Sequence, residues 1–595
     1  MTTPQEKAAA ARKAAEDAAR VAAEAMAAAE AAEQEAAAAS KESAGVGGAS
    51  AQPSSETAAA AGESVADGNR PASASGESAS TGTQPASTSA ATGATTEIAA
   101  GYAFDGPALE LGTVMVDGVA DPGARVRIPL RMMNRHGLVA GATGTGKTKT
   151  LQGIAEHLSR AGVPVVMADV KGDLSGLSAP GADNEKIRAR AAETGATDWA
   201  PSAFPTEFVS LGTGGIGVPI RATITSFGPI LLSKVLGLND TQESTLGLIF
   251  HWADQRGLAL LDLKDLRAVI THLTSPEGKE DLKGIGGVST QTAGVILRSL
   301  VNLEAEGGDT FFGEPELDPA DLLRTAGGLG VITLFELGQQ AARPALFSTF
   351  LMWVLADLFQ TLPEVGDVDK PKLVFIFDEA HLLFAEASKA FLQQVEQTVK
   401  LIRSKGVGVF FCTQLPTDIP NPVLSQLGAR VQHALRAFTP DDQKALSKTV
   451  RTYPKSAVYD LEEALTSLGT GEAIVTVLSE TGAPTPVAWT KIAPPRSLMD
   501  TVGDDRIKAA ALSSALQGKY GQSVDRESAY EMLLASVASA EPAPESAPAP
   551  GRSQQEDDSA AERIMKNPAV KSFLRSAASA AGREISRSIF GTRRR

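Results

Sequence analysis

The sequence predicts an α/β protein in which a parallel β-sheet is covered by helices on both faces. Three short, almost continuously apolar runs carry this prediction, at 163–169, 373–380 and 406–414. Strands that are apolar throughout are typical of a sheet buried on both sides. After the glycine-rich turn, the apolar residues at 148–161 recur at helical spacing. Such alternation of strands and helices is typical of a parallel sheet.

Composition narrows the class of protein and its setting. The 595 residues carry a formal net charge of -15, which argues against coating nucleic acid or an anionic membrane with the whole surface. A single cysteine, Cys412, excludes a disulfide framework and a cysteine-rich metal site. The apolar window at 345–356 is shorter than the roughly 20 residues of a membrane span, and the first residues lack a secretory apolar stretch. We therefore predict a buried core helix at that window and a cytoplasmic protein.

A glycine-rich loop follows a short apolar strand and opens a helix. Its residues are Gly141, Ala142, Thr143, Gly144, Thr145, Gly146, Lys147 and Thr148. In a G-x-x-x-x-G-K-T loop the glycines let backbone N–H groups surround phosphates, the lysine meets the β and γ phosphates, and the threonine hydroxyl ligates Mg²⁺. We add Thr150 to the predicted nucleotide-binding residues. The alternative is a fortuitous Gly-rich turn, which the strand-loop-helix context disfavours.

Two carboxylates stand at the end of a second buried strand. Asp378 and Glu379 follow the run Leu-Val-Phe-Ile-Phe at 373–377. In parallel sheets the carboxyl ends of the strands meet at the ligand-binding edge. There we expect Asp378 to hold the Mg²⁺ shell and Glu379 to orient and deprotonate the attacking water. The alternative is a surface or Ca²⁺-binding carboxylate pair.

Two polar residues flank the third strand. Gln414 stands at its end, where an amide can sense the γ phosphate or hold the water, and where its alternative role is to cap the strand. Arg403 precedes the strand, and we predict that it acts as an arginine finger on a neighbouring subunit's nucleotide. The alternative is a solvated arginine at a helix end. Arg430 and Arg436 are weaker candidates for the finger.

Charged residues also follow the strand at 163–169. Asp169, Lys171 and Asp173 lie near the expected nucleotide, and their pattern suits secondary site residues and a helix cap equally well. Cys412 has no histidine in a recognisable pairing with it. We therefore predict a small core residue there rather than a nucleophile.

Together these motifs resemble the HerA-FtsK superfamily of ring-forming DNA motors, and most closely the bacterial YjgR-type HerA-like proteins. The resemblance covers about 134–492 and rests on NRHGLVAGATGTGKTKTLQ, VMADVKGDLSG, FFGEPELD, KPKLVFIFDEAHLLF, LIRSKGVGVFFCTQ and QLGARVQHALRAFTPDDQKA. It implies a RecA-like P-loop NTPase core, hydrolysis of ATP with Mg²⁺, and a hexamer with sites between subunits. The residues that take the roles above by this resemblance are Lys147, Thr148, Asp378, Glu379 and Gln414, with Arg403 as the finger.

The chain departs from HerA proper, which carries an N-terminal β-barrel. Only about 35 residues with strand-like patterning precede the glycine loop, too few for a full barrel. DNA loading and nuclease partnership go with that barrel in the family. The Asp-Glu-Ala-His run also matches DEAH helicases, but the Q-x-x-G-R-x-G-R element of their second lobe is absent from the sequence, as is an LSGGQ-like signature of ABC ATPases.

The predicted domain boundaries follow changes in composition. They are 1–39, an Ala-rich helix; 40–97, a disordered linker; 98–136, short strands preceding the core; 137–495, the RecA-like ATPase domain with a mostly helical insertion at about 176–365; 496–540, a helical extension; 541–560, a Pro/Ala linker; and 561–595, a basic amphipathic helix. The basic helix is a candidate contact for DNA, a nuclease or a membrane surface.

Two functions fit this sequence. The first is a hexameric, ATP-driven DNA translocase or helicase, which the family motifs and the basic tail favour. The alternative is a P-loop ATPase that remodels protein partners or acts at the membrane surface without nucleic acid, because a basic amphipathic helix also suits anionic lipid.

Overall fold

A computed structural model of the chain describes residues 86–169, 172–282, 284–305, 307–336, 344–385 and 387–539. The predicted segments 1–39, 541–560 and 561–595 lie outside the described residues. One twelve-stranded sheet and a separate two-stranded hairpin contain the strands. In chain order these are β1 (Ala108–Val116), β2 (Val119–Pro129), β3 (Gly137–Ala140), β4 (Val165–Asp169), β5 (Thr206–Leu211), β6 (Val218–Ile220), β7 (Thr325–Ala326), β8 (Leu329–Gly330), β9 (Ile332–Glu336), β10 (Leu373–Phe377), β11 (Val407–Thr413), β12 (Ala429–Gln432), β13 (Glu472–Thr476) and β14 (Ala488–Ile492).

The large sheet has a parallel part and an antiparallel part. Its strand order is β2-β1-β14-β13-β12-β3-β11-β10-β4-β9-β5-β6. In this order, each strand from β12 through β3 to β6 pairs parallel with the next one. On the other side of β12, the strands β13, β14, β1 and β2 follow, and each of these pairings is antiparallel. Strand β11 therefore lies between β3, which leads into the glycine loop, and β10, which leads into Asp378.

Helices cover both faces of this sheet. They are α1 (Ala86–Ala100), α2 (Lys147–Arg160), α3 (Glu185–Glu193), α4 (Ile224–Val235), α5 (Asp240–Gln255), α6 (Leu263–Thr274), α7 (Pro276–Asp281), α8 (Thr290–Ala305), α9 (Pro344–Thr361), α10 (His381–Phe384), α11 (Lys389–Ile402), α12 (Asn421–Leu424), α13 (Pro440–Val450), α14 (Leu461–Ser467), α15 (Asp504–Ser513), α16 (Gln517–Tyr520) and α17 (Ala529–Ser539).

Strand β10 shows how the two faces are filled. Leu373, Phe375 and Phe377 point into a core shared with α9 and α11, whereas Val374 and Ile376 point into a second core shared with α2. All of them are buried, because successive side chains of a strand alternate between faces and each face has its own helix layer. The fold is thus the predicted α/β, RecA-like P-loop NTPase core.

The predicted core helix at 345–356 is part of α9. Phe350, Trp353 and Leu355 are buried in the first of the two cores. Among the described residues, no helix combines the length and the apolar character needed to cross a bilayer.

The disorder predicted for 40–97 is wrong for its last twelve residues, because α1 begins at Ala86. The end of this helix is anchored by tertiary contacts. Ile98 and Tyr102 are buried, and the Tyr102 hydroxyl donates hydrogen bonds to the carbonyls of Val475 (3.0 Å) and Pro486 (2.8 Å). The Ala/Ser/Thr-rich composition of this segment does not predict contacts with residues so distant in the sequence.

Strands β1 and β2 were expected to precede the core, but they belong to its sheet. Residues Gly112 to Val114 of β1 pair antiparallel with β14, and β2 forms the sheet edge. Similarly, the range 176–365 was predicted to be a mostly helical insertion with one strand at 330–337. That strand is β9, but β5 and β6 also lie in this range, and all three extend the parallel part. Its helices are α3 to α9. Pairing partners so far apart along the chain leave no local pattern.

The helical extension after 496 is packed against the core. Buried Glu156 of α2 accepts hydrogen bonds from the backbone N–H groups of Arg496 (2.8 Å) and Ser497 (2.9 Å). Further along, Arg221 donates to the carbonyl of Tyr520 at 2.9 Å. The extension therefore supports the helix that starts at the glycine loop.

Candidate functional site

The glycine loop connects β3 to α2 at the carboxyl edge of the parallel strands. Lys147 is the first residue of α2, and its ammonium donates to the carbonyls of Gly141 (2.7 Å) and Ala142 (3.2 Å). The Thr145 hydroxyl donates to the Ala142 carbonyl at 2.7 Å. The loop thus curves around its own cation, where phosphates are expected to bind.

Two glycines are required by close contacts of the loop. Gly141 has φ 149°, and a Cβ there would lie 2.6 Å from the Cβ of His433. Gly146 has φ 112°, and its Cβ would lie 3.1 Å from the nitrogen of Gly471. A side chain at either position would push the loop away from the neighbouring strand ends.

The predicted carboxylates lie at the same edge, two strands away. Because β11 separates β3 from β10, the loop and Asp378 are about 10 Å apart across the sheet. Asp378 accepts a hydrogen bond from the backbone N–H of Glu379 at 2.9 Å. Glu379 has φ 48°, an uncommon conformation for a residue with a Cβ, and its carboxylate lies 3.5 Å from Nδ1 of His381.

Gln414 completes the group at this edge. It directly follows β11, and its side chain is exposed. The loop start is joined to the same strand end, since the N–H of Gly141 donates to the carbonyl of Thr413 at 3.2 Å. Cys412 is buried in β11, and burial together with nearby Asp378 raises the pKa of its thiol, as expected for a core residue rather than a nucleophile.

Thr150 has a different environment from the one predicted. It is buried, and its hydroxyl lies 2.9 Å from Nε2 of His433. Its backbone N–H donates to Gly146 within the helix, at 3.0 Å. The structure therefore places the Thr150 side chain behind the loop, against His433.

The structure does not bring Arg403 to this edge. Arg403 begins a 3-10 turn before β11, at the opposite end of a seven-residue strand that is roughly 20 Å long. There Arg135, Arg403 and Arg430 line an open cavity of about 470 Å³. Tyr453 also lines it, and within the described part of the chain its buried hydroxyl has no hydrogen-bond partner. Arg436, by contrast, donates to the carbonyl of Thr143 in the glycine loop at 3.3 Å.

Asp169 serves as a local cap and also faces a second buried acid. Its carboxylate accepts from the N–H groups of Gly172 (2.7 Å) and Leu174 (2.9 Å). Lys171 lies outside the described residues. In register with Asp169 on the next strand is Glu336, which is 3% exposed. Burial raises the pKa of Asp169 to about 6, and burial with nearby Asp169 raises the pKa of Glu336 to about 8.

Sequence reasoning missed four residues around these sites: Arg135, Glu336, His433 and Tyr453. The position of each residue depends on which strand ends lie side by side, and local sequence patterns do not predict that order. Among them, only Glu336 carried a usable signal, as a charged residue that ends an otherwise apolar run at 331–336.

The residues present suit ATP and Mg²⁺. The Thr148 hydroxyl and the Asp378 carboxylate are hard oxygen donors of the kind that Mg²⁺ prefers. In the described residues there is no cluster of three or more His, Cys, Asp or Glu that could hold a metal by itself. Mg²⁺ in nucleotide sites usually takes one or two carboxylates from the protein and completes its shell with phosphate and water. The fold and this edge of the sheet are those of a P-loop ATPase.

The chain belongs to the Helicase HerA-like C-terminal family, which matches residues 116–595. It is similar to the DNA double-strand break repair helicases HerA of Sulfurisphaera tokodaii (23% identity over 367 residues) and Sulfolobus acidocaldarius (19% over 386 residues). Each match covers 61% of this chain and 66% of the relative, so the chain spans just under two thirds of the relatives' length.

The chain is also similar to two solved structures. The bacterial conjugative coupling protein TrwBdeltaN70 matches with a TM-score of 0.44 and 16% identity, over 69% of this chain and 94% of that one. VirB4 of Thermoanaerobacter pseudethanolicus matches with a TM-score of 0.41 and 15% identity, over 65% and 97%.

The buried acid pair predicts a specific pH dependence of stability. The folded state holds the Glu336 proton up to about pH 8, whereas the unfolded chain releases it near 4.5, so stability falls as pH rises between these values. Glu336→Gln has no proton to lose at this position. Thermal unfolding at several pH values should show that the stability of the variant relative to the wild type increases as pH rises.

The matched control for this experiment is Glu364→Gln, in the exposed loop between α9 and β10. This variant should follow the wild-type curve. If Glu336→Gln and wild type showed the same pH dependence, the assignment of a raised pKa to Glu336 would be rejected.

Proposed function

We propose that the protein is an ATP-hydrolysing HerA-like motor that translocates along or unwinds DNA as a homohexamer. One observation carries the proposal: the residues predicted for hydrolysis lie at two opposite edges of the parallel sheet. The glycine loop, Glu379 and Gln414 lie at one edge, and Arg403 lies at the other. A single chain cannot bring its own Arg403 to its own nucleotide, whereas a ring of identical subunits places opposite faces in contact.

Nucleotide binding uses the loop and the first turn of α2. The loop N–H groups and the Lys147 ammonium bind the β and γ phosphates, and the ammonium exchanges the carbonyls of Gly141 and Ala142 for phosphate oxygens. Thr148 and Asp378 would hold Mg²⁺, which would neutralise part of the phosphate charge.

Hydrolysis follows from the position of Glu379. Its carboxylate accepts a proton from water while the water oxygen attacks the γ phosphorus, and the bond from that phosphorus to the β–γ bridging oxygen breaks. The products are ADP and inorganic phosphate. Gln414, exposed at the end of β11 between the loop and Glu379, holds the water or the γ phosphate. Arg403 of a neighbouring subunit stabilises the charge of the transition state.

The DNA part of the proposal is supported by the relatives, whose names describe helicases of DNA double-strand break repair. ATP turnover of the purified protein should rise on addition of single- or double-stranded DNA at low salt and lose this stimulation as salt increases. No stimulation and no salt-dependent binding, with intact basal turnover, would favour instead an ATPase that works on protein partners or at a membrane surface. Flotation with anionic vesicles separates these two.

Substitutions at the nucleotide edge should separate binding from chemistry. Lys147→Ala should weaken ATP binding because the loop loses its cation. Glu379→Gln should bind ATP with little change but hydrolyse it about 10²- to 10⁴-fold more slowly, the usual loss for a missing general base. Isothermal titration and phosphate release measure the two steps, and Glu364→Gln is the matched control. An undiminished rate in Glu379→Gln would reject the base assignment.

Mixed rings test whether Arg403 acts in trans. Arg403→Ala should lower turnover about 10³- to 10⁵-fold, as for other arginine fingers, whereas exposed Arg298→Ala on α8 should not. Co-expression of Arg403→Ala with Glu379→Gln should restore activity, because about a quarter of the interfaces in a random ring then pair an intact Glu379 with an intact Arg403. Mixtures that stay as inactive as either variant alone would rule out this arrangement.

A further inference from the structure

His433 is buried directly behind the glycine loop. It follows β12, and its backbone N–H donates to the carbonyl of Ala140 at 2.7 Å, so it continues the pairing of β12 with β3 to the point where the loop begins. The side chain is 0% exposed. A histidine with no access to water must place both ring nitrogens in hydrogen bonds or bear the cost of leaving one unsatisfied.

Both ring nitrogens of His433 have partners, and these define the tautomer. Nδ1 lies 2.8 Å from the carbonyl of Glu472, which can only accept, so Nδ1 carries the proton. Nε2 lies 2.9 Å from the Thr150 hydroxyl and therefore accepts from it. Burial, with a smaller contribution from nearby Lys147, lowers the pKa of His433 to about 4, so the ring stays neutral and keeps this arrangement at neutral pH.

The imidazole thus joins two elements that contact the loop. Thr150 belongs to the first turn of α2, and Glu472 begins β13. Next to Glu472, Gly471 donates its N–H to the carbonyl of Thr145 in the loop at 2.9 Å. Gly471 is itself held from behind, since Arg190 donates to its carbonyl at 2.6 Å.

The backbone after His433 touches the loop as well. The carbonyl of Ala434 accepts from the N–H of Ala142 at 2.8 Å, and the position of a Cβ on Gly141 is occupied by the Cβ of His433. The side of the loop that faces β12 and β13 is therefore lined by fixed groups. These groups have no part in the hydrolytic chemistry, which lies on the other side of β3, at β11 and β10.

We propose that His433 is a positioning residue for the phosphate-binding loop: by joining Thr150 to Glu472 it fixes the shape in which the loop receives a nucleoside polyphosphate. This inference rests on the proposed function and adds to it a residue outside the loop motif. When the loop is already held in its binding shape, ordering it on ligand binding costs less free energy. Loss of His433 should consequently weaken nucleotide binding and leave the rate of hydrolysis at saturation almost unchanged.

Four variants separate the two hydrogen bonds. Thr150→Val removes the hydroxyl with little change in shape. His433→Asn can keep a donor near Glu472 but cannot reach Thr150, whereas His433→Gln can keep an acceptor for Thr150. His433→Ala removes both. Exposed His251→Gln, on α5, is the matched control.

The primary readout is the Kd of ATP measured by isothermal titration, with KM and kcat as a second readout. Thr150→Val and His433→Asn should each raise Kd about fivefold, the effect of one lost hydrogen bond, and the double variant should raise it no further because both remove the same bond. His433→Gln should recover part of the affinity lost in His433→Ala. KM should rise with Kd while kcat changes less than twofold.

Other results would overturn the proposal. Additive losses in the double variant would show that Thr150 and His433 act independently. A kcat that falls as far as KM rises would show an effect on the chemical step, and a lowered melting temperature with unchanged Kd would show that His433 acts only in folding. The proposed function fails separately, if the wild-type protein binds ATP but releases no phosphate. In that case the Kd series still reports on His433, because binding does not require hydrolysis.

Discussion

The parallel pairing of β3, β11 and β10 is the constraint on which the site depends. Because parallel strands end at a common edge, this order places the glycine loop, Gln414 and the Asp378-Glu379 pair side by side. The strands can pack this tightly because each is apolar on both faces and each face has its own layer of helices. The hydrolytic groups thus take their spacing from the backbone of the sheet, and not from contacts among themselves.

The antiparallel part of the sheet gives the loop its second wall. Strand β12 is the last of the parallel set and the first of the antiparallel set. It pairs with β3 on the side away from β10. Through His433 and the turn before β13, this part of the sheet contacts the loop from behind. The loop therefore lies between the proposed hydrolytic groups and the strand ends around His433, and the glycines at Gly141 and Gly146 allow these strand ends to approach closely.

Two groups of like-charged residues lie at opposite ends of the parallel strands. Acidic groups, including the buried pair Asp169 and Glu336, gather at the edge that ends in the glycine loop. Arginines 135, 403 and 430 gather at the opposite edge, around a cavity with a buried tyrosine hydroxyl. Each edge holds groups that the other lacks.

The sequence by itself determined the fold class, the loop from Gly141 to Thr148, and the carboxylates that follow β10, because each is a local pattern of apolar runs, glycines and charges. It also showed that Arg403 comes just before the third strand. The role of Thr150, the helix at Ala86, and the membership of β1 and β2 in the main sheet were decided only by the tertiary structure. So were the pairing of Asp169 with Glu336 and the position of His433. Each of these depends on which distant strands lie next to each other, and hydrogen bonds between such strands leave no periodicity in the chain.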